Sequence, residues 1–239
     1  MSVAVISTCY NQADLIGDAV ESVINQTVPG VYHIIADDGS TDSSPTVLRQ
    51  WEVAHDHITV IQCTNRNPAG AFNAALLNVP PDATFIVTLC GDDWLAPNFV
   101  EECLAAFHDN LDVVIPGIRR VGSPDFDEGL RLVPQHQPTV EEVWAWNPPR
   151  MWTTAMFRKA ALLETGGFHT AALGEEDWDM WIDLTIRGRR FGFTNKTWFY
   201  YRYIPGGLTD VKTREEWDAH RREIMRHHKR DTLPGPEFG

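Results

Sequence analysis

The chain has 239 residues, a formal net charge of −13 and 43% hydrophobic residues. That length suits one large domain or two small ones, and the apolar fraction supports a core, which excludes global disorder. A surface this acidic repels a phosphate backbone, so nucleic acid is a poor partner, and an anionic substrate needs a local device such as a carboxylate-held divalent cation.

Val3–Ser7 is predicted as a short buried strand. In "ADLIGDAVESVINQ", Leu15, Ile16, Ala19, Val20, Val23 and Ile24 fall on one helical stripe. "VYHIIA" (Val31–Ala36) is the next strand, and Ser43–His55 a helix that tolerates Pro45 in its first turn. "HITVIQC" reads as a third strand, "GAFNAALLN" as a short helix and "TFIVTLC" as a fourth strand. "PNFVEECLAAFHD" has a first-turn proline and helical periodicity, and "DVVIPGI" is a further strand. Gly122–Pro149 is rich in Pro, Gly and charge and reads as a long loop with a short helix near Val140–Trp146. "FRKAALLETGGF" is predicted as a helix stopped by Gly166–Gly167, and "EEDWDMWIDLTIRG" as a helix with Trp178, Trp181 and Ile182 on one side and Gly188 as its stop. "WFYYRYI" is a strand, and "TREEWDAHRREIMRHHKRD" a charged terminal helix.

Alternating strands and helices at this spacing predict a parallel α/β sheet with right-handed crossovers. Its ligands belong beyond the carboxyl ends of the strands. Two adjacent carboxylates stand at such an end in "IIADDGSTDSS" (Asp37, Asp38), and two more in "IVTLCGDDWLAP" (Asp92, Asp93). Neighbouring carboxylates repel, so water or a ligand must stabilise them, and both pairs are expected on the rim of one cleft.

No apolar run approaches the roughly 20 residues of a membrane helix. The start "MSVAVISTCYN" has no basic segment ahead of its apolar run, so no signal peptide is expected. Cys9, Cys63, Cys90 and Cys103 lack CxxC spacing and read as reduced thiols of a cytoplasmic protein. The basic run "HRREIMRHHKR" admits docking at the inner face of an anionic membrane, although a solvated helix end is what the helix dipole favours.

Taken in order, "VAVISTCYNQADLIGDAVESVINQT", "IIADDGSTDSS", "CGDDW", "GGF" and "GEEDWDMWIDLTIRG" resemble the family 2 glycosyltransferases of the GT-A fold, over roughly residues 2–209. The resemblance implies a Rossmann-like, mostly parallel sheet flanked by helices, with a smaller acceptor-side subregion. Residues 1–118 would form the nucleotide-sugar half, 119–209 the acceptor-binding and catalytic half of the same domain, and 210–239 a charged helix and tail. It implies inverting transfer of a sugar from a nucleotide-diphosphate-sugar, usually a UDP-sugar, to an acceptor hydroxyl on a glycan, a lipid-linked or a small molecule. Thr8, Tyr10 and Asp38 would contact the nucleotide base, Asp92 the ribose, and Asp93 a Mn²⁺ or Mg²⁺ ion on the diphosphate. Asp177 would be the general base. Beside these, Trp152, Glu176 and Trp178 are candidate acceptor contacts by residue type and position, tryptophan because its ring can stack on a sugar face.

The residue types suit this chemistry, because hard cations prefer carboxylate oxygen and an attacking hydroxyl must lose a proton. Helical geometry alone separates Asp177 from Asp179, which point to nearly opposite sides. Each motif also has an ordinary reading: "DDGSTD" as a turn and helix cap, "GDDW" as a turn, and the acids near Asp177 as first-turn residues favoured by the helix dipole. The chain departs from the family at Phe72, where Arg is common before Asn, at Ile204, where a metal-binding His is common, and across Gly122–Pro149. Two alternatives stay open: a catalytically inactive sugar- or nucleotide-binding module, and a nucleotidyltransferase, although "STCYNQAD" lacks the glycine-rich basic loop the latter uses.

Overall fold

Strand after strand, the apolar runs join a single sheet. The structure is a computed structural model and describes residues 2–64, 66–108, 110–122, 129–133, 136–144, 153–171, 174–207 and 213–229. Among these residues the strands are β1 (Ser2–Cys9), β2 (Tyr32–Asp37), β3 (Ile58–Gln62), β4 (Ala83–Cys90), β5 (Trp94–Leu95), β6 (Val113–Val121), β7 (Leu130–Arg131), β8 (Met156–Arg158) and β9 (Phe191–Arg202). The helices are α1 (Ile16–Ile24), α2 (Ser44–Ala54), α3 (Asn67–Leu77), α4 (Phe99–Ala106), α5 (Val140–Trp144), α6 (Lys159–Glu164), α7 (Glu176–Ile186) and α8 (Arg214–His227). The sheet runs β3-β2-β1-β4-β8-β6-β9-β5, with β7 on β6.

The long ladders are parallel, β1 with β2 and β4, β2 with β3, and β6 with β9. Antiparallel pairing is confined to the short strands β5, β7 and β8. β8 corrects the sequence reading, which began a helix at Phe157. Met156 and Phe157 instead alternate between the two faces of the sheet, and their backbone is paired by β4 on one side and β6 on the other. β9 starts earlier than its apolar run suggests. A register shift opposite Pro116/Gly117 breaks its alternation in mid-strand, so only the end stands out in the sequence.

Adjacent strand residues enter opposite cores, as expected of strands covered on both faces. Val5, Ile35 and Val87 meet α1, α2 and α4, where Ile16, Leu48 and Phe99 are buried. Ile6, Ile34 and Ile86 meet the other layer, which holds Phe72 of α3, Trp144 of α5, Trp181 of α7 and Ile224 of α8. The terminal helix is therefore not a solvated appendage: Ile224 and Met225 lie in the core beside Trp178 and Trp181. A capping box between Thr213 and Glu216 sets its start. β6 straddles residue 118 and β8 sits between β4 and β6, so residues on both sides of that position build the same sheet.

Candidate active site

The register brings the carboxyl ends of three strands level. Thr8 of β1 pairs with Ala36 of β2 and Cys90 of β4, and Cys9 pairs with Asp37. The residues that follow, Tyr10, Asp38 and Gly91–Asp93, therefore leave the sheet along one rim. Gly91 permits the close approach of the β4 turn to β1. A Cβ there would stand 2.4 Å from the Thr8 carbonyl and 2.6 Å from Gln12 Oε1.

The loops after β1 and β2 brace each other. Asn11, at φ 52°, accepts at Oδ1 from the Thr41 N–H at 2.8 Å, and its own N–H donates to Ser40 Oγ at 2.9 Å. The Gln12 N–H donates to Ser44 Oγ and the Ala13 N–H to Asp42 Oδ2. The small hydroxyl residues of "DDGSTDSS" thus hold two loops in register and leave Tyr10 49% exposed above them. The adjacent acids divide their tasks. Asp37 is fully buried and accepts from the Ser40 N–H, while Asp38 Oδ1 accepts from the Arg66 N–H. Burial pushes the Asp38 carboxyl above its ordinary value, and backbone N–H donors of Arg66 and Asn67 pull it back.

Asp92 and Asp93 sit on the turn that ends β4, closed by Asp93 N–H donating to the Cys90 carbonyl at 3.1 Å. Burial and then the neighbouring Asp92 charge push Asp93 well above the ordinary carboxylate range, against the Arg202 N–H, which donates to Asp93 Oδ1 at 2.9 Å. Arg202 also donates from Nε to the Asp92 carbonyl, pairs with Asp18, and lies 4.6 Å from the centroid of the Trp94 ring. Cys90, Asp92 and Asp93 hold candidate ligand atoms within 4.8 Å of one another. Two crowded, desolvated carboxylates suit a hard divalent cation such as Mg²⁺ or Mn²⁺, whose charge would relieve both the repulsion and the burial cost. Burial raises the Cys90 thiol well above its ordinary value, and a hard cation prefers the oxygen of the two carboxylates.

Asp177 lies in the first turn of α7, where Oδ2 accepts from Thr153 Oγ1 at 3.0 Å and Oδ1 from the Trp178 N–H at 2.7 Å. Thr153 is itself tied to the sheet: its carbonyl accepts from the Thr88 hydroxyl of β4. Burial raises the Asp177 carboxyl above its ordinary value, opposed by those two donors. The two acidic regions converge on the end of β4. The Cys90 thiol is raised first by burial and then by the charges of Asp93, Asp92, Glu176 and Asp177.

Other sequence-derived candidates fall differently. Trp178 is 6% exposed, its indole N–H donates to the Val143 carbonyl, and its ring meets Trp144 edge-on. That is a core position, a correction to its place among acceptor-facing residues. Its spacing on α7 is that of Trp181, and the layer of α5 and α8 covers both. Glu176 is buried and accepts from the Gly174 N–H at 2.8 Å. Trp152 lies outside the described residues. Phe72 is fully buried, stacked on Phe168 at 4.9 Å, while Asn73 clamps Phe168 through both backbone groups. Ile204 lies two residues beyond the end of β9, and its carbonyl accepts from the Gly207 N–H at 2.9 Å. Arg202, Thr153 and Arg66 were missed in the sequence. They act through backbone atoms or across loops, and no local pattern marks them.

Known proteins share this architecture. The solved structure of S. aureus TarS residues 1–349 in complex with UDP-GlcNAc superposes with a TM-score of 0.77 at 17% identity, covering 98% of this chain and 68% of that one. A mannosyltransferase from Pyrobaculum calidifontis, in complex with GDP-Man and Mn²⁺, gives a TM-score of 0.65 at 22% identity, covering 99% and 66%. These likenesses establish the GT-A fold. In sequence, a chondroitin synthase from Escherichia coli is 27% identical over 215 residues, which cover 88% of this chain and 30% of that protein. The chain thus spans about a third of the length of such a relative. The model of glycosyl transferase family 2 matches residues 4–175, more than half of the sequence, and the chain belongs to that family.

Proposed function

We propose that the chain transfers a sugar from a nucleotide-diphosphate-sugar of the UDP class to an acceptor hydroxyl, with inversion at the anomeric carbon. The observation that carries this reading is that both acidic motifs are tied to β4: Asp92 and Asp93 sit on the turn that ends it, and Asp177 accepts from Thr153, whose carbonyl accepts from Thr88 of the same strand. A leaving group and an attacking hydroxyl need carboxylates of different roles within one site, and this arrangement supplies them.

In this reading Thr8, exposed Tyr10 and Asp38 line the nucleotide base on the braced loops after β1 and β2. Asp92 faces the ribose, and Asp93 with Asp92 holds the divalent cation. Such an ion, when bound, neutralises charge on the departing diphosphate. Asp177 takes the proton from the acceptor hydroxyl as it attacks, held in orientation by Thr153. The raised pKa of a buried carboxyl suits a base better than that of a free one. UDP-GlcNAc bound to TarS and GDP-Man with Mn²⁺ bound to the mannosyltransferase support the donor class and the metal. Among the described residues no helix is long and apolar enough to cross a membrane, and the acceptor is proposed only as a hydroxyl-bearing glycan, lipid-linked or small molecule.

The test is a thermal-shift and calorimetric screen of UDP-, GDP- and dTDP-sugars with and without Mn²⁺, followed by assay of nucleotide release. Metal-dependent binding of a UDP-sugar with turnover is expected. Metal-dependent binding without turnover of any donor, alone or with acceptor mixtures, would favour an inactive binding module. Absence of nucleotide binding would end the proposal.

A further inference from the structure

A second cluster of ligating side chains lies on the other side of α7. Asp179 is 3% exposed, and three imidazoles surround its Oδ1: His228 Nε2 at 3.0 Å, His169 Nδ1 at 3.7 Å and His227 Nδ1 at 3.9 Å. They come from three places: the loop after Gly167, the end of α8, and the residue that follows α8. The His228 contact is an ordinary hydrogen bond. The other two are too long for one. His169 Nδ1 is moreover buried with no hydrogen-bond partner, which is costly for a polar atom. The rings of His169 and His227 stand nearly perpendicular, 87° apart, with centroids 3.9 Å apart. The candidate ligand atoms of His169, Asp179 and His227 all lie within 4.8 Å of one another.

These separations have a simple source. Ligands about 2.1 Å from a tetrahedral ion stand about 3.4 Å from each other, longer than a hydrogen bond; the two imidazole nitrogens stand 3.7 and 3.9 Å from Asp179 Oδ1, so binding an ion would draw them in by a few tenths of an ångström. Two imidazoles and one carboxylate form a zinc-type donor set, unlike the all-oxygen set that Mg²⁺ prefers. We propose that His169 Nδ1, His227 Nδ1 and Asp179 Oδ1 form a second divalent-metal site, of zinc type, that clamps the end of α8 to α7 and to the loop that follows Gly167. Water completes the coordination, and His228 orients the Asp179 carboxylate as such outer partners do. Burial lowers the His169 pKa, so the ring is held neutral, the form that ligates. His169, Asp179 and His227 themselves line a cavity of about 270 Å³, together with Asn73, Gly166, Phe168 and Asp183, so there is room for an ion beside them. The site is separate from Asp92 and Asp93, and its existence does not depend on the proposed transfer reaction.

The experiment uses the full chain without a histidine tag, stripped with EDTA, dialysed, and titrated with Co²⁺ in the absence of nucleotide. One equivalent of Co²⁺ is expected to develop the visible absorption of a low-symmetry imidazole site, and Zn²⁺ to abolish it by displacement. His227→Ala, at a side chain 42% exposed, removes a ligand without opening the core and should abolish the absorption. His169→Gln should do the same, and His228→Gln should weaken affinity by about 10–100-fold, as loss of an outer partner does. Asp93→Ala should leave the absorption intact. Circular dichroism establishes that each variant is folded. Absence of the absorption in the wild-type chain, its persistence in folded His227→Ala and His169→Gln, or its loss in Asp93→Ala overturns the proposal.

Discussion

A carboxylate that must accept a proton from a sugar hydroxyl works better as its pKa approaches the operating pH. Burial moves Asp177 in that direction, and the Thr153 hydroxyl moves it back. Removing that donor should therefore raise the pKa further. In Thr153→Val the acid limb of the kcat/KM profile should shift to higher pH, while donor affinity stays as in wild type. An unchanged limb would show that the hydroxyl does not act on the base. Asp177→Asn keeps size and hydrogen bonding but removes basicity. It should lower kcat by roughly 10²–10⁴-fold with donor Kd nearly intact; near wild-type turnover would place the base elsewhere. Asp93 makes a stability statement as well. Its folded-state pKa is raised, so as pH rises from the ordinary carboxylate value through the raised one the folded chain holds a proton that the unfolded chain has lost, and stability falls across that window. Mn²⁺ should accordingly raise Tm above that window, and the gain should fade as pH falls through it, in scans across pH. An equal gain at acid pH would mean that the ion binds elsewhere.

At the scale of elements, the site depends on how closely two strand ends approach. Gly91 stands where a Cβ would meet the Thr8 carbonyl and Gln12. Gly91→Ala should push the β4 turn away from β1, costing about 1–3 kcal/mol as other overpacked positions do. It should also weaken donor binding, since Asp92 and Asp93 move with the turn. Denaturant unfolding and calorimetry measure the two effects, and loss of neither would mean that the turn relaxes without moving the acids. The elements themselves were largely legible. β1, β2 and β4 are mostly apolar and α1 carries a clear apolar stripe, because burial on both sheet faces or along one helix face leaves its mark on the sequence. β8 was not legible. Its three residues sit against a helix of good formers, and only pairing with β4 and β6 makes them a strand. The first half of β9 was hidden by its register shift.

Across the whole molecule, α8 belongs to the core of the layer that holds α7. Ile224 is fully buried in the layer that holds α7, and Arg221 of the same helix pairs with Glu175 at the start of α7. Ile224→Ala should destabilise the whole fold by about 2–5 kcal/mol, the usual cost of emptying a core site. A single unfolding transition at a lower midpoint is expected. A loss within about 0.5 kcal/mol, as at surface positions, would mean that α8 is detachable. The sequence by itself determined the fold class, the strand ends that carry Asp37, Asp38, Asp92 and Asp93, and the family resemblance, because each is written in local periodicity and short motifs. Only the tertiary structure decided which groups meet. Arg202 reaches Asp93 from a strand more than a hundred positions away, and Thr153 reaches Asp177 from a loop. The tertiary structure also buried Trp178, whose helical spacing is equally consistent with a surface or a core, and brought His169, Asp179 and His227 together. Such contacts are set by packing between distant elements, which leaves no period or spacing in the chain to read.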